Sequence, residues 1–284
     1  MLLSQSIKIL STKLRSINIC KSFLSANSAP KEQTIKVGKY NINYVQVGTG
    51  RHHVFCMPGA LGTIWTHSKP QVEGLNRELF TIVAWDPVGY GKSRPPDKEF
   101  TRDFFEKDAD IAYEFLKLLK IPKFSILGWS DGGTSAMILT AKFPDIVNKL
   151  VIWGSNSFIL PHEVEVIRQI RDVKAWSNNM RQPMIKVYGE EKFTKYWTEW
   201  VDGIEAIALT DNGNICSELV KNITCPTFIL HGEKDRLVDY VHLSYLHKNI
   251  KGSRVHLYPN GKHNIHIQYA EDFNKRVQEF LLQP

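Results

Sequence analysis

The segment that most restricts this chain is Gly128-Trp129-Ser130-Asp131-Gly132-Gly133. It follows an apolar run, Phe124 to Leu127, and precedes a helix-forming run, Thr134 to Phe143. A Gly-x-Ser-x-Gly between a strand and a helix predicts a nucleophile elbow, a sharp, strained turn that lifts the serine hydroxyl clear of the backbone. Gly128 and Gly132 remove side chains that would collide there. The helix behind Ser130 directs its N-terminal amides, and the positive end of its dipole, at negative charge forming on a substrate. Such an elbow requires a strand-and-helix scaffold around it.

The rest of the chain supplies one. Residues 34–48 (TIKVGKYNINYVQVG) alternate apolar and polar side chains around Gly38-Lys39, the pattern of an antiparallel hairpin at a sheet edge. Short apolar runs follow (HVFCMPG, FTIVAWDPVG, FSILGWSDGG and KLVIWG), each with a turn and usually a helix behind it. The predicted class is α/β, an α/β-hydrolase fold with a mostly parallel sheet and helices on both faces. In the helix before FSILGW, Ile111, Phe115, Leu118 and Leu119 recur on one face, and Pro122 lies just past its end. From about 156 to 222 the strand rhythm stops. That stretch is expected to be an inserted helical cap whose Trp176, Tyr188, Tyr196, Trp197 and Trp200 either line a pocket or form its own core. Strands resume with CPTFILHG and SRVHLYPNG, and an amphipathic helix ends the chain. Residues 32–284 are therefore expected to form a single domain.

A serine hydroxyl needs a base within hydrogen-bond reach and a carboxylate to orient that base. Among ten histidines, His263 follows the last strand-like run; His266, three residues on, is its nearest rival and is expected to fix the same loop. His52, His53, His67 and His162 lie in segments that need no special chemistry. Asp235 in HGEKD, after the penultimate strand, gives the order Ser, Asp, His of this fold, with Glu233 and Asp239 as alternatives. Ser130, Asp235 and His263 are the candidate triad. One oxyanion donor would be the Asp131 amide; the second would come from the loop Pro58–Gly62, from either Ala60 or Leu61. The Asp131 side chain is the anomaly. At about 4 Å and an effective dielectric of about 20, a carboxylate opposes an oxyanion by roughly 4 kcal/mol. Either the substrate brings a cation such as an α-ammonium, or Asp131 turns away and caps the helix.

The net charge of +7 is concentrated at the start: Lys8, Lys13, Arg15, Lys21 and Lys31 precede the first acidic residue, Glu32, leaving the remainder near +2. Without a basic stripe carrying interleaved aromatics in that remainder, nucleic-acid binding is not expected. Scattered cations in a Ser-rich segment without an uninterrupted apolar block suit a mitochondrial targeting segment over 1–31 better than a secretory signal; the plain alternative is a disordered basic tail. Cys20, Cys56, Cys216 and Cys225 have neither metal-ligand spacing nor the density of a disulfide scaffold. No cofactor, metal or membrane partner is expected, and the chain is expected to act as a monomer.

Several stretches together resemble the biphenyl hydrolase-like (valacyclovir hydrolase) group of α/β-hydrolases. They are VAWDPVGYGKSRPPD at 83–97, LGWSDGG at 127–133, WVDGI at 200–204, HGEKDRLV at 231–238 and VHLYPNGKHNIH at 255–266, while DNGNIC at 211–216 departs slightly. The resemblance implies a mitochondrial α-amino-acid ester hydrolase with the triad above, in which Asp131 binds the substrate's α-amino group. The expected partner is then a small aminoacyl ester. The rivals are carbon–carbon bond hydrolysis of dienone-type acids and a non-catalytic binding protein on the same fold.

Overall fold

The hairpin predicted around Gly38 opens an eight-stranded sheet. The structure, a computed structural model, describes residues 30–284, so the targeting expectation for 1–31 lies almost wholly outside the described residues. β1 (Gln33–Val37) and β2 (Tyr40–Val47) pair antiparallel, and Gly38 turns the chain at φ +56°. β3 (His52–Met57), β4 (Phe80–Trp85), β5 (Phe124–Trp129), β6 (Val147–Trp153), β7 (Thr227–Gly232) and β8 (Arg254–Tyr258) are parallel to one another, and β2 joins them antiparallel to β4. The spatial order is β1-β2-β4-β3-β5-β6-β7-β8. β4 lies on one side of β3 and β5 on the other, so the connections diverge there. In open α/β sheets the crevice for a ligand opens at such a switch point, beyond the carboxyl ends of the strands. The Gly59 loop and Ser130 both emerge at that place.

The helices, in chain order, are α1 (Ile64–His67), α2 (Lys69–Gly74), α3 (Phe104–Leu118), α4 (Asp131–Lys142), α5 (Pro161–Gln169), α6 (Asn178–Tyr188), α7 (Glu190–Ala208), α8 (Tyr240–Asn249), α9 (Ile265–Gln268) and α10 (Ala270–Leu282). Strand side chains alternate between two cores, one on each face of the sheet. Phe55, Val83, Trp85, Ile126 and Ile152 meet α3, α4 and α8; Val54, Ile82, Leu127, Val151 and Trp153 meet α1, α2 and α10. Each fully buried Phe or Ile contributes roughly 1.5–3 kcal/mol, which explains why these runs read as continuously apolar.

α3 differs from expectation in the face it buries. Phe104, Phe105, Ala109, Ala112, Phe115 and Leu116 are buried, whereas Leu118 is 46 % exposed and Ile111 and Leu119 are only partly covered. The small Ala109 and Ala112 let α3 sit close against its neighbours, which spacing of the large apolar residues alone did not reveal. Between β6 and β7 the chain forms α5, α6 and α7. Phe193, Tyr196 and Trp197 are buried, and Trp176 packs edge-on against Trp197 at 4.6 Å. These aromatics build the segment's own core. Trp200, stacked on Trp197 at 4.5 Å, also reaches out of it.

Candidate active site

Ser130 occupies the turn between β5 and α4 at φ +54°, ψ −126°, a strained region for a residue with a side chain. Its carbonyl accepts from the amides of Gly133 and Thr134, and its own amide donates to the Trp153 carbonyl of β6 at 3.0 Å. The two glycines of the motif are required by close approach. A Cβ on Gly128 would lie 2.6 Å from the Gly133 Cα, and one on Gly132 would run into the Met57 and Pro58 carbonyls. The helix begins at Asp131, three residues earlier than the helix-forming run suggested.

His263 lies 28 residues after Asp235 and 133 after Ser130, yet its two nitrogens meet both. Nε2 is 3.0 Å from the Ser130 Oγ and Nδ1 is 2.8 Å from the Asp235 Oδ2. The other oxygen of Asp235 accepts from the Leu237 and Val238 amides at 2.9 and 3.2 Å, so the carboxylate cannot swing away. Burial pushes the Asp235 carboxyl upward, but the charge and hydrogen bond of His263, with the Leu237 amide, hold it below the usual range. For His263 burial opposes protonation, and Asp235, helped by Asp131, raises it above the ordinary imidazole value. Glu233 makes no such contact. Asp239 instead caps α8 through the Val241 amide, 2.8 Å, and pairs with His162.

Two more histidines lie beneath this arrangement, and neither competes with His263. His266 Nδ1 accepts from Trp153 Nε1 at 2.9 Å, which places its proton on Nε2, 3.1 Å from the His67 carbonyl. Burial lowers both residues, His67 to about 3, so they stay neutral under the imidazole that must charge. Trp129 packs against the His67 ring (4.5 Å) and the His266 ring (4.4 Å) and donates its Nε1–H to the His263 carbonyl at 3.0 Å. The residue before the nucleophile therefore pins the loop that carries the base. Nothing in the motif itself marks Trp129 for this role, because its partners lie in segments distant in the chain.

The Pro58–Gly62 loop is a tight turn closed by the Gly62 amide on the Gly59 carbonyl, 2.9 Å. A Cβ on Gly59 would lie 3.0 Å from the Ser130 Cβ, so the loop borders the hydroxyl. Neither Ala60 nor Leu61 donates its amide to a described carbonyl. Leu61 has φ +54°, its carbonyl accepts from the Tyr188 hydroxyl at 2.7 Å, and its backbone lies beside the Tyr90 hydroxyl. The Asp131 amide, at the first position of α4, likewise has no backbone acceptor.

The Asp131 carboxylate does not cap α4. It accepts from Trp200 Nε1 at 2.7 Å, a partner contributed by α7, and no helix amide donates to it. Burial raises it to about 7, with the Trp200 hydrogen bond pulling the other way and Asp108 adding to the rise. Trp200 is the residue that local sequence could not assign, since nothing near it marks one indole of an aromatic cluster as a hydrogen-bond donor to a carboxylate 69 positions away. α5 is tied to the acid loop as well: Glu163 Oε1 accepts from the Asp239 amide at 2.9 Å, and both its oxygens lie 2.9 Å from His242 Nε2.

The three described thiols, Cys56, Cys216 and Cys225, are wholly or partly buried. Burial pushes Cys56 and Cys216 up to about 12 and Cys225 to about 11. Among the described residues no three His, Cys, Asp or Glu side chains converge as a metal site, and no helix is long and apolar enough to cross a membrane.

Residues 52–182 match the α/β-hydrolase fold family. The human protein named serine hydrolase BPHL is 47 % identical over 247 residues, covering 87 % of this chain and 85 % of its own length. The mouse protein of the same name is 42 % identical, covering 98 % of this chain and 97 % of its own. A 2-hydroxy-6-oxo-6-(2'-aminophenyl)hexa-2,4-dienoic acid hydrolase of Metapseudomonas resinovorans is more distant, at 24 % identity over 90 % of this chain and 92 % of its own. Among solved structures, a 2-hydroxy-6-oxo-6-phenylhexa-2,4-dienoate hydrolase from Rhodococcus superposes with a TM-score of 0.76 at 16 % identity, covering 90 % of this chain and 99 % of that one. That likeness establishes the fold. With the fold, the strained serine turn and relatives at this level of identity, the chain belongs to the α/β-hydrolases and, within them, to the BPHL serine hydrolases.

Proposed function

We propose that the protein hydrolyses esters of α-amino acids through Ser130, His263 and Asp235. His263 takes the Ser130 proton as Oγ attacks the ester carbonyl, while Asp235 holds the imidazole in the required tautomer and offsets its positive charge. The Asp131 amide and an amide of Ala60 or Leu61 receive the oxyanion. His263 then returns its proton to the departing alcohol. Water, activated by the same imidazole, releases the amino acid from Ser130. The Asp131 carboxylate pairs with the substrate's α-ammonium, so two charges that would each oppose burial or oxyanion formation neutralise each other.

The observation that carries the substrate class is the setting of Asp131. A carboxylate next to the nucleophile, held by one indole and by no helix amide, suits an incoming cation better than a helix-capping role. Replacing Asp131 by Asn should cut kcat/KM for an aminoacyl ester by about 10²–10³, the effect of losing a charged partner. The matching ester without the amino group should lose much less. Equal losses on both would refute the ammonium pairing.

The distant relatives named for dienoic acid hydrolysis favour carbon–carbon bond cleavage as a second reading. Their substrates are anions, which a charged Asp131 would repel. Turnover of a ring-cleavage product in the absence of aminoacyl esterase activity would decide for it. The mitochondrial destination expected from residues 1–31 belongs to the same proposal, and import of a fluorescent protein carrying that segment tests it.

A further inference from the structure

The two loops that must act on one ester carbonyl leave the sheet far apart. The Pro58–Gly62 turn follows β3 and the His263 loop follows β8, with β5, β6 and β7 between them. Those strands are four spacings apart, roughly 19 Å, so pairing between neighbouring strands does not by itself set one loop against the other. Two buried imidazoles join them. His67 ends α1, which starts at Ile64 and is tied to the turn by a reciprocal cap: the Thr66 amide donates to the Thr63 hydroxyl at 3.2 Å, and the Thr63 amide to the Thr66 hydroxyl at 2.9 Å. A Cβ on Gly62 would run into the His67 ring, so that ring sits against the end of the turn. The His67 carbonyl, at the open end of α1, accepts from His266 Nε2 at 3.1 Å. His266 lies in α9, three positions after His263, and its Nδ1 accepts from Trp153 Nε1 of β6 at 2.9 Å. One side chain thus links the sheet, the base loop and the helix that carries the oxyanion turn.

We propose that His67 and His266 form a brace that sets the oxyanion turn against the His263 loop, with His266 as a positioning residue for acyl transfer. The inference rests on the serine-ester reading above and extends it to loop placement, whichever acyl group is taken. While Ser130 attacks, the carbonyl oxygen must meet an amide of Ala60 or Leu61 and the leaving oxygen must face His263. Displacing one of these groups by about 1 Å can cost about 100-fold in rate. A neutral imidazole suits the link, because one ring nitrogen accepts and the other donates. His266 therefore holds Trp153 on one side and α1 on the other. A cation in its place would lose the Trp153 bond and oppose the positive charge that forms on His263. Burial keeps both rings of the brace neutral. Trp129 packs against both rings, so the residue before the nucleophile rests on the same support.

Two substitutions of similar polarity separate the links. His266→Asn keeps an acceptor near the place of Nδ1 for Trp153 but is too short to reach the His67 carbonyl. His266→Gln extends an N–H to the place of Nε2 and keeps that donor. Active sites are counted by complete labelling with a fluorophosphonate, and folding is followed by thermal melts. For a valine ester and the 3-methylbutanoate ester of the same alcohol alike, kcat should fall about tenfold in His266→Asn, the scale of one lost hydrogen bond. In His266→Gln it should fall by at most about threefold on the same scale, with KM little changed in either. An alkylboronic acid reads the same geometry without turnover: Ser130 Oγ bonds to boron as its proton passes to His263, and a boron-bound oxygen takes the oxyanion position. Its affinity should fall in parallel with kcat, while that of the ether analogue of the ester, which has no carbonyl, should hold. A merely loosened fold would not produce that split. If His266→Asn does not fold, His266→Leu, which also lacks the donor, takes its place. Equal losses with and without the donor, or a loss carried by KM and ether binding, overturn the brace and leave the serine chemistry standing. If the unmodified protein neither hydrolyses these esters nor binds the boronic acid, the serine-ester reading falls and the brace with it.

Discussion

Ser130 and Asp131 are adjacent in the chain, but they belong to two differently built regions. The Ser130 side is assembled at the carboxyl ends of β5, β7 and β8, where short loops carry Ser130, Asp235 and His263 off one rigid sheet. The Asp131 side is assembled from helices: Trp200 on α7 donates to the carboxylate, and Asp108 on α3 and Ser135 on α4 line the same small cavity as Asp131. Strand ends fix positions by register, so residues far apart in sequence meet at hydrogen-bond distance, as His263 does with Ser130 at 3.0 Å. Helix faces fix positions by packing, which tolerates more variation. On the function proposed above, bond cleavage and substrate choice would be separable, the first a property of the sheet and the second of the helices laid over it.

The strongest way to break that separation is on the sheet side. Ser130→Ala should lower turnover of every ester by about 10⁴–10⁶, as losses of an activated nucleophile do. Residual activity near that of the unmodified protein, measured with amino and desamino esters alike, would remove Ser130 from the chemistry. Trp129→Phe keeps an aromatic side chain, smaller than the indole, but removes the donor to the His263 carbonyl. It should slow both ester classes equally, by about tenfold, the scale of one hydrogen bond of roughly 1 kcal/mol or slightly more. A loss confined to aminoacyl esters would show that Trp129 serves the other region.

On the helix side, Trp200→Phe removes the one indole hydrogen bond to Asp131. About threefold to tenfold should be lost for aminoacyl esters, with little change for neutral ones; equal losses would merge the two regions. The smallest effect is on stability. Asp131 is raised in the folded protein from 3.8 to about 7, so its ionisation disfavours the fold. Stability associated with its protonated form is complete below about pH 4 and is lost as the pH rises through about 7. Asp131→Asn abolishes this loss. It should stabilise the protein at pH 8, by at most about 4 kcal/mol, and much less at pH 4. Thermal melts at the two pH values check it, and an advantage that does not grow with pH would refute the raised value.

The sequence by itself determined the elbow, the sheet and the positions of Ser130, Asp235 and His263. Continuous apolar strands, glycines at a forced close approach and loops directly after strands are local signals with few structural solutions. It also marked Asp131 as anomalous, because a charge beside a nucleophile is a local fact. Only the tertiary structure decided where that carboxylate turns, since the choice between capping α4 and meeting Trp200 depends on how α7 lies over α4. The same holds for the buried face of α3, set by Ala109 and Ala112, and for Trp129 holding the His263 loop. These contacts join segments scores of residues apart, and no local periodicity encodes which side chains of two packed elements will meet.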